Sequence, residues 1–203
     1  LGDVYKRQTN YWVLFGQIAS LEQEQRIFQN LWIKPTKENM NLWERGESPY
    51  SKLFISAALL SRGLWRQAFT HWRGYYTKML KHPEAWSIFE FWDRSFSLKQ
   101  PVPRNSFVHA FGIGPLAHLA MYVVGLRPLN PGFQGIIWEP MPGDLKWFQA
   151  ELPLVNWSSS IKVKLETLKT GKRIFTLEKP ESLFVEIRKT FLNSTDQLIV
   201  RNR

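Results

Sequence analysis

SPYSKLFISAALLSRG (48–63) and LWRQAFTHWRGYYTKML (64–80) set the architecture of the first half of the chain. The second piece places Trp65, Ala68, Phe69, Trp72, Tyr75, Tyr76, Met79 and Leu80 at i, i+3, i+4, i+7, i+10, i+11, i+14 and i+15. That recurrence is one face of an amphipathic α-helix buried along one side. The first piece is apolar almost all round and predicts a helix ending near Gly63. With so short a turn between them, the two helices form an antiparallel hairpin.

Working upstream, NYWVLFGQIA (10–19) has apolar residues at 11, 14, 15 and 18, again one helical face. Ser20 followed by Gln23 is a capping-box pattern that opens a second helix running through Trp32. Residues 33–48, with Pro35, Asn39, Asn41 and Gly46, read as a long connection. Downstream, residues 81–105 carry Pro83, Pro101 and Pro103 and form another. A further helix is expected over 107–124, with Gly125 as its C-terminal cap and Pro128 barring continuation.

After Pro128 the period changes. GIIWEP, LKWFQAEL, SIKVKLE, RIFTLE, LFVEIR and QLIVRN have strand composition and are separated by turn residues such as Pro142-Gly143-Asp144 and Thr170-Gly171-Lys172. Strands recurring every roughly 8–12 residues predict an antiparallel β-sandwich. The expected fold is therefore α then β: helical hairpins over 9–127 and a C-terminal β-sandwich over 128–203.

Composition narrows the partners. The formal net charge is +10, yet the basic residues are dispersed between apolar positions and no block of five or six like charges occurs. A solvated surface is the reading, with no nucleic acid and no membrane as partner. The absence of cysteine rules out disulfides and thiolate metal sites and leaves the compartment open. No apolar run reaches the roughly 18 residues of a membrane span. His71 and His82 have no partners at metal-ligand spacing, so no metal and no cofactor are expected. Residues 3–8 of LGDVYKRQ (1–8) resemble the translation of a transposon end used to fragment DNA for sequencing libraries. They are set aside as non-native, with the expectation that the gene begins upstream and that this is a C-terminal piece.

AWSIFEFWDR (85–94) places one glutamate, Glu90, among two tryptophans and two phenylalanines within a long connection. Rigidly held connections are where chemistry tends to sit. On residue type alone Glu90 fits either a working carboxylate or a structural one paired with Arg94. Trp86 and Trp92 fit sugar-stacking platforms or packing, His109 a ligand contact or a core or capping role, and Tyr50 a cleft residue or a helix-entry residue. Glu44, in LWERGE, reads as a surface or helix-entry residue.

Four further stretches, taken with the Trp-rich helix, carry a resemblance: SPYSKLFISAALLSRGLWRQAF (48–69), IFEFWD (88–93), SFVHAFGIGPLAHLAMYVVGLRPLNPGF (106–133) and PMPGDLKWFQAELP (140–153). In that order they resemble the C-terminal end of the inverting α-L-rhamnosidase family of glycoside hydrolases. The resemblance implies the last helices of an (α/α)6 toroid followed by a β-sandwich. It places Glu90 on the family's catalytic base, within a segment resembling T-I-W-E-R-W-D in which Phe89 replaces a Trp. It places His109 of Ser106-Phe-Val-His109 on a sugar-contacting histidine. It further implies a rhamnoside substrate and a general acid upstream of the chain. An inverting hydrolase needs an acid for the leaving oxygen and a base for water, roughly 6.5–9.5 Å apart. Another six-hairpin glycosidase acting on a glucoside or other hexoside, or a non-catalytic sugar-binding relative, also fits these residues.

Overall fold

The computed structural model describes residues 2–29, 49–81, 87–89, 108–154 and 159–203, and among these described residues five α-helices precede the strands. Helix α1 (Gly2–Phe15) runs through the segment set aside above and stops at a turn in which Gln17 takes φ 54°. Helix α2 (Leu21–Phe28) opens on the expected capping box. The Gln23 amide donates to Ser20 Oγ, and the Ser20 amide donates to Gln23 Oε1 at 2.8 Å. Glu22 and Glu24 in its first turn and Arg26 in its last complement the helix dipole.

Helix α3 (Pro49–Leu60) packs on α1 and on α4 (Trp65–Leu80). An apolar surface on every side suits a helix with neighbours on both flanks, and Ile55 and Ala57 to Leu60 are all buried. Gly63, with φ 72°, turns the chain between α3 and α4. Ala68, Phe69, Tyr75, Tyr76 and Met79 are buried as the period predicts, but Leu80 is 63% exposed while His71 is buried. At about 100° per residue, Leu80 lies roughly 60° to one side of Trp65 and His71 roughly 120° to the other. The buried arc is thus displaced toward His71 and leaves Leu80 outside it.

The helix expected over 107–124 is built in three successive hydrogen-bond registers among the described residues. A 3-10 turn (Ala110–Ile113) leads into α5 (Gly114–His118) and then a π-helical turn (Leu119–Val123). Gly125 ends it with φ +83°, as the cap required. A Cβ there would meet the Glu139 carbonyl at 2.3 Å, so the position admits glycine alone without backbone movement.

Seven strands follow among the described residues: β1 (Leu126–Pro128), β2 (Gly135–Trp138), β3 (Trp147–Pro153), β4 (Ser160–Thr167), β5 (Arg173–Lys179), β6 (Phe184–Ile187) and β7 (Gln197–Asn202). Six match the strand segments read from sequence. β1 was read as the break after a helix, because Pro128 reads as a stop; as the last residue of a short edge strand it is tolerated. The sheets have the orders β1-β2-β6 and β3-β4-β5-β7.

Both sheets are mixed, which corrects the antiparallel expectation. β2 and β6 run parallel, as do β5 and β7. The reason is connectivity: β6 lies in the other sheet, so the chain from β5 to β7 is a crossover rather than a hairpin, and only hairpins force antiparallel pairing. β4 and β5 are such a hairpin, closed at Leu168 and Lys172 with Gly171 at φ +84°. Strands from both sheets contribute to one hydrophobic cluster that includes Leu126, Ile136, Trp138, Val163, Leu165, Phe175 and Leu177.

By internal contacts the chain divides into two compact units, residues 1–117 and 118–203. In the second, residues 118–125 precede the strands, and Val124 belongs to the shared β core.

Candidate active site

The site expected from sequence is Glu90, His109, Trp86, Trp92 and Tyr50. Glu90, Trp86 and Trp92 lie outside the described residues, as do Glu44 and His82. Tyr50 falls in the first turn of α3. His109 is half-buried at the head of the 3-10 turn.

The residues next to Glu90 are held from two directions. Phe89 is 1% exposed and packs in a cluster with Tyr75, Tyr76 and Met79 of α4, with Trp72 and Ile88 against it. The His109 amide donates to the Ile88 carbonyl at 2.9 Å, and the His109 carbonyl accepts from Gly112 at 2.9 Å. The structure thus joins two motifs about 20 residues apart in sequence: the stretch leading into Glu90 and the stretch carrying His109. The amphipathic face of α4 supplies the apolar seat for this junction. Phe89, where the resembled segment has a tryptophan, is a core residue.

Sequence reasoning missed a polar layer buried between α3 and α4. Lys52 is fully buried, and its Nζ lies 4.8 Å from the centre of the Tyr75 ring. Removing an ammonium from water costs several kcal/mol, and a ring face beneath it returns roughly 1–2. Ser56 Oγ donates to the Lys52 carbonyl at 2.6 Å and accepts from Trp72 Nε1 at 2.7 Å. Burial first, and then the Lys52 charge, hold His71 well below the usual histidine range. Burial pushes the Tyr76 hydroxyl above the usual phenol range. One signal was available: Lys52 is the sole charged residue in PYSKLFISAALL.

Lys52 thus lies against Tyr75, a member of the cluster that seats Phe89. Chemically, this arrangement can fix the backbone at Ile88 and Phe89, just before Glu90, and keep a positive charge against the Tyr75 ring. Among the described residues, no group of three His, Cys, Asp or Glu side chains is placed to hold a metal ion. No described helix is long and apolar enough to cross a membrane.

Comparison with known proteins finds no matching family model and no matching curated protein. Solved structures do match. A GH78-family rhamnosidase of Bacillus sp. GL1 superposes with a TM-score of 0.70 and 22% identity, covering 97% of this chain and 20% of that one. An α-L-rhamnosidase from Dictyoglumus thermophilum does so with a TM-score of 0.70 and 18% identity, covering 93% of this chain and 21% of that one. The chain has the fold of a portion of these enzymes and spans about one-fifth of their length.

Proposed function

We propose that this chain is the C-terminal part of a glycoside hydrolase of the α-L-rhamnosidase family. The complete protein would cleave terminal α-L-rhamnosyl linkages with inversion. The observation that carries the reading is the likeness to two rhamnosidase structures over 93–97% of the chain. The junction of Ile88 and His109 supports it, because it brings together the two motifs on which the resemblance rests.

In this reading Glu90 is the general base. Its carboxylate takes a proton from a water molecule as the water oxygen attacks the anomeric carbon from the face opposite the leaving group. An acid from another part of the complete protein protonates the departing glycosidic oxygen. The bond to that oxygen breaks as the bond to water forms, so configuration inverts. Aromatic neighbours such as Trp86 and Trp92 stack on the sugar and exclude bulk water, which raises the basicity of the carboxylate toward the working range. His109 hydrogen-bonds a sugar hydroxyl, and Tyr50 lines the entrance. The helical part of the chain, residues 9–127, belongs in this reading to a six-hairpin toroid that the complete protein closes.

The test is Glu90→Gln in the complete protein, assayed on an aryl α-L-rhamnoside. Removing a general base lowers kcat by roughly 10²–10⁴-fold and removes the acidic limb of the pH profile. Turnover within twofold of the parent takes Glu90 out of the mechanism. Preferential cleavage of an aryl glucoside would replace the substrate assignment while keeping the chemistry.

A further inference from the structure

The four-stranded sheet turns Phe148, Ala150, Leu152, Val163, Leu165, Phe175 and Leu177 toward the core. Strand alternation sends the intervening residues to the outer face, and the register aligns them in rows. One row is Glu151, Lys162, Glu178 and Arg201; the next holds Gln149, Lys164 and Thr176; the next holds Trp147, Glu166 and Ile174. Across the first two rows lies an open depression of about 280 Å³, lined by Gln149, Lys162, Lys164, Glu166, Glu178 and Arg201.

Three properties of this face converge. Trp147 is 75% exposed, more than any other tryptophan among the described residues, and it stands across the ladder from Glu166 on the wall of the depression. Such exposure of an indole forgoes the burial that its size would reward. The outer face is also charge-balanced, since Lys162, Lys164 and Arg201 have Glu166 and Glu178 in the lining of the depression and Glu151 beside it as counter-charges. Finally, two of the pairs, Lys162 with Glu151 at 3.8 Å and Arg201 with Glu178 at 3.9 Å, are too long for hydrogen bonds. Lys162, Glu178 and Arg201 therefore remain open to a third group, whereas Glu151 also accepts from Ser160 Oγ and Lys164 pairs with Glu166 at 2.8 Å.

These properties select the ligand. A polyanion would meet three carboxylates and a polycation three cations, and an apolar partner would strip water from all six. A neutral polyhydroxylated chain avoids each cost: its hydroxyls donate to Glu166 and Glu178 and accept from Lys162, Lys164 and Arg201. The C–H face of a sugar ring covers the exposed indole. We infer that the outer face of the sheet β3-β4-β5-β7 is a binding groove for a neutral polysaccharide, with Trp147 as its stacking platform. The groove lies wholly within the second unit and is independent of Glu90.

The inference is tested by affinity electrophoresis of the 203-residue chain through native gels containing hydroxyethyl cellulose, xyloglucan, galactomannan or polygalacturonate. At least one neutral polysaccharide should retard the chain, and retardation should persist at 0.15 M salt. Trp147→Ala should weaken association at least tenfold with an unchanged circular dichroism spectrum, because the side chain contributes little to the core. Lys164→Ala should weaken it by a smaller factor, and Glu90→Gln should leave it unchanged, which separates this site from the proposed catalytic one. Absence of retardation by all three neutral polysaccharides overturns the inference. So does retardation that Trp147→Ala leaves intact, or retention confined to polygalacturonate and released by salt.

Discussion

Histidine burial gives individual residues measurable consequences. His118, 5% exposed and edge-on to the Tyr122 ring at 5.8 Å, has its pKa lowered from 6.5 to about 4 because burial disfavours the imidazolium. His71 shifts in the same direction. A depressed histidine pKa means that the unfolded chain binds more protons than the folded one between the two values. Stability from these groups is therefore complete above pH 6.5 and lost as the pH falls below it, by up to about 1.4 kcal/mol per pH unit for one fully buried histidine. The urea midpoint should fall between pH 6.5 and 5, and His118→Phe should make that decline shallower. Carboxylates held low by their partners, such as Glu24 beside Arg62, respond only at more acid pH, so the window belongs to the histidines. A slope unaltered by His118→Phe would mean that His118 titrates as it does in water.

Helix ends and helix ties matter at the next scale. Arg62, just after α3, donates through Nε to Glu24 of α2 at 2.9 Å, through Nη2 to the Leu14 carbonyl of α1 at 2.8 Å, and through Nη1 to the Ala58 carbonyl at 3.1 Å. The Arg62 and Glu24 side chains are only 16% and 17% exposed, whereas the Arg26–Glu22 pair within α2 is 73% exposed on both sides. Hydrogen bonds to largely buried charges contribute roughly 1.5–3 kcal/mol, an exposed i,i+4 pair about 0.3–0.5. Arg62→Ala should accordingly cost about 2–3 kcal/mol in a denaturant titration, and Arg26→Ala under about 0.5. Equal costs would show that Arg62 does not tie the three helices together. Element ends were the most legible feature of the sequence: the Ser20 box, Gly63, Gly125 and Gly171 all stand where the chain demanded a cap or a positive φ. Less legible was which side of α4 would be buried, because the stripe is wide enough to admit either Leu80 or His71 and the neighbouring elements choose.

For the whole molecule, the charge of +10 spread over the chain predicts weak, unspecific attraction to polyanions. Immobilised heparin should retain the chain at about 20 mM salt and release it below about 0.15 M, where screening acts within roughly 8 Å. Retention well above that concentration would restore a nucleic-acid reading. The likeness to the rhamnosidase structures extends over nearly all of this chain and about a fifth of theirs. The proposed chemistry is accordingly a proposal about the complete protein, to which this chain would contribute Glu90 as the base.

By itself the sequence determined the order of helices before strands, the α3–α4 hairpin, six of the seven strands and the residues on which the resemblance rests. Period, caps and turn residues act over a few neighbours, so one chain is enough to read them. Tertiary structure alone decided that both sheets are mixed, because strand direction depends on which sheet the chain enters next. It alone buried Lys52 against Tyr75, since a single lysine on an apolar helix is placed by what packs over it. It also aligned Glu151, Lys162, Glu178 and Arg201 across the sheet, a row set by register between strands, of which no one segment carries the record.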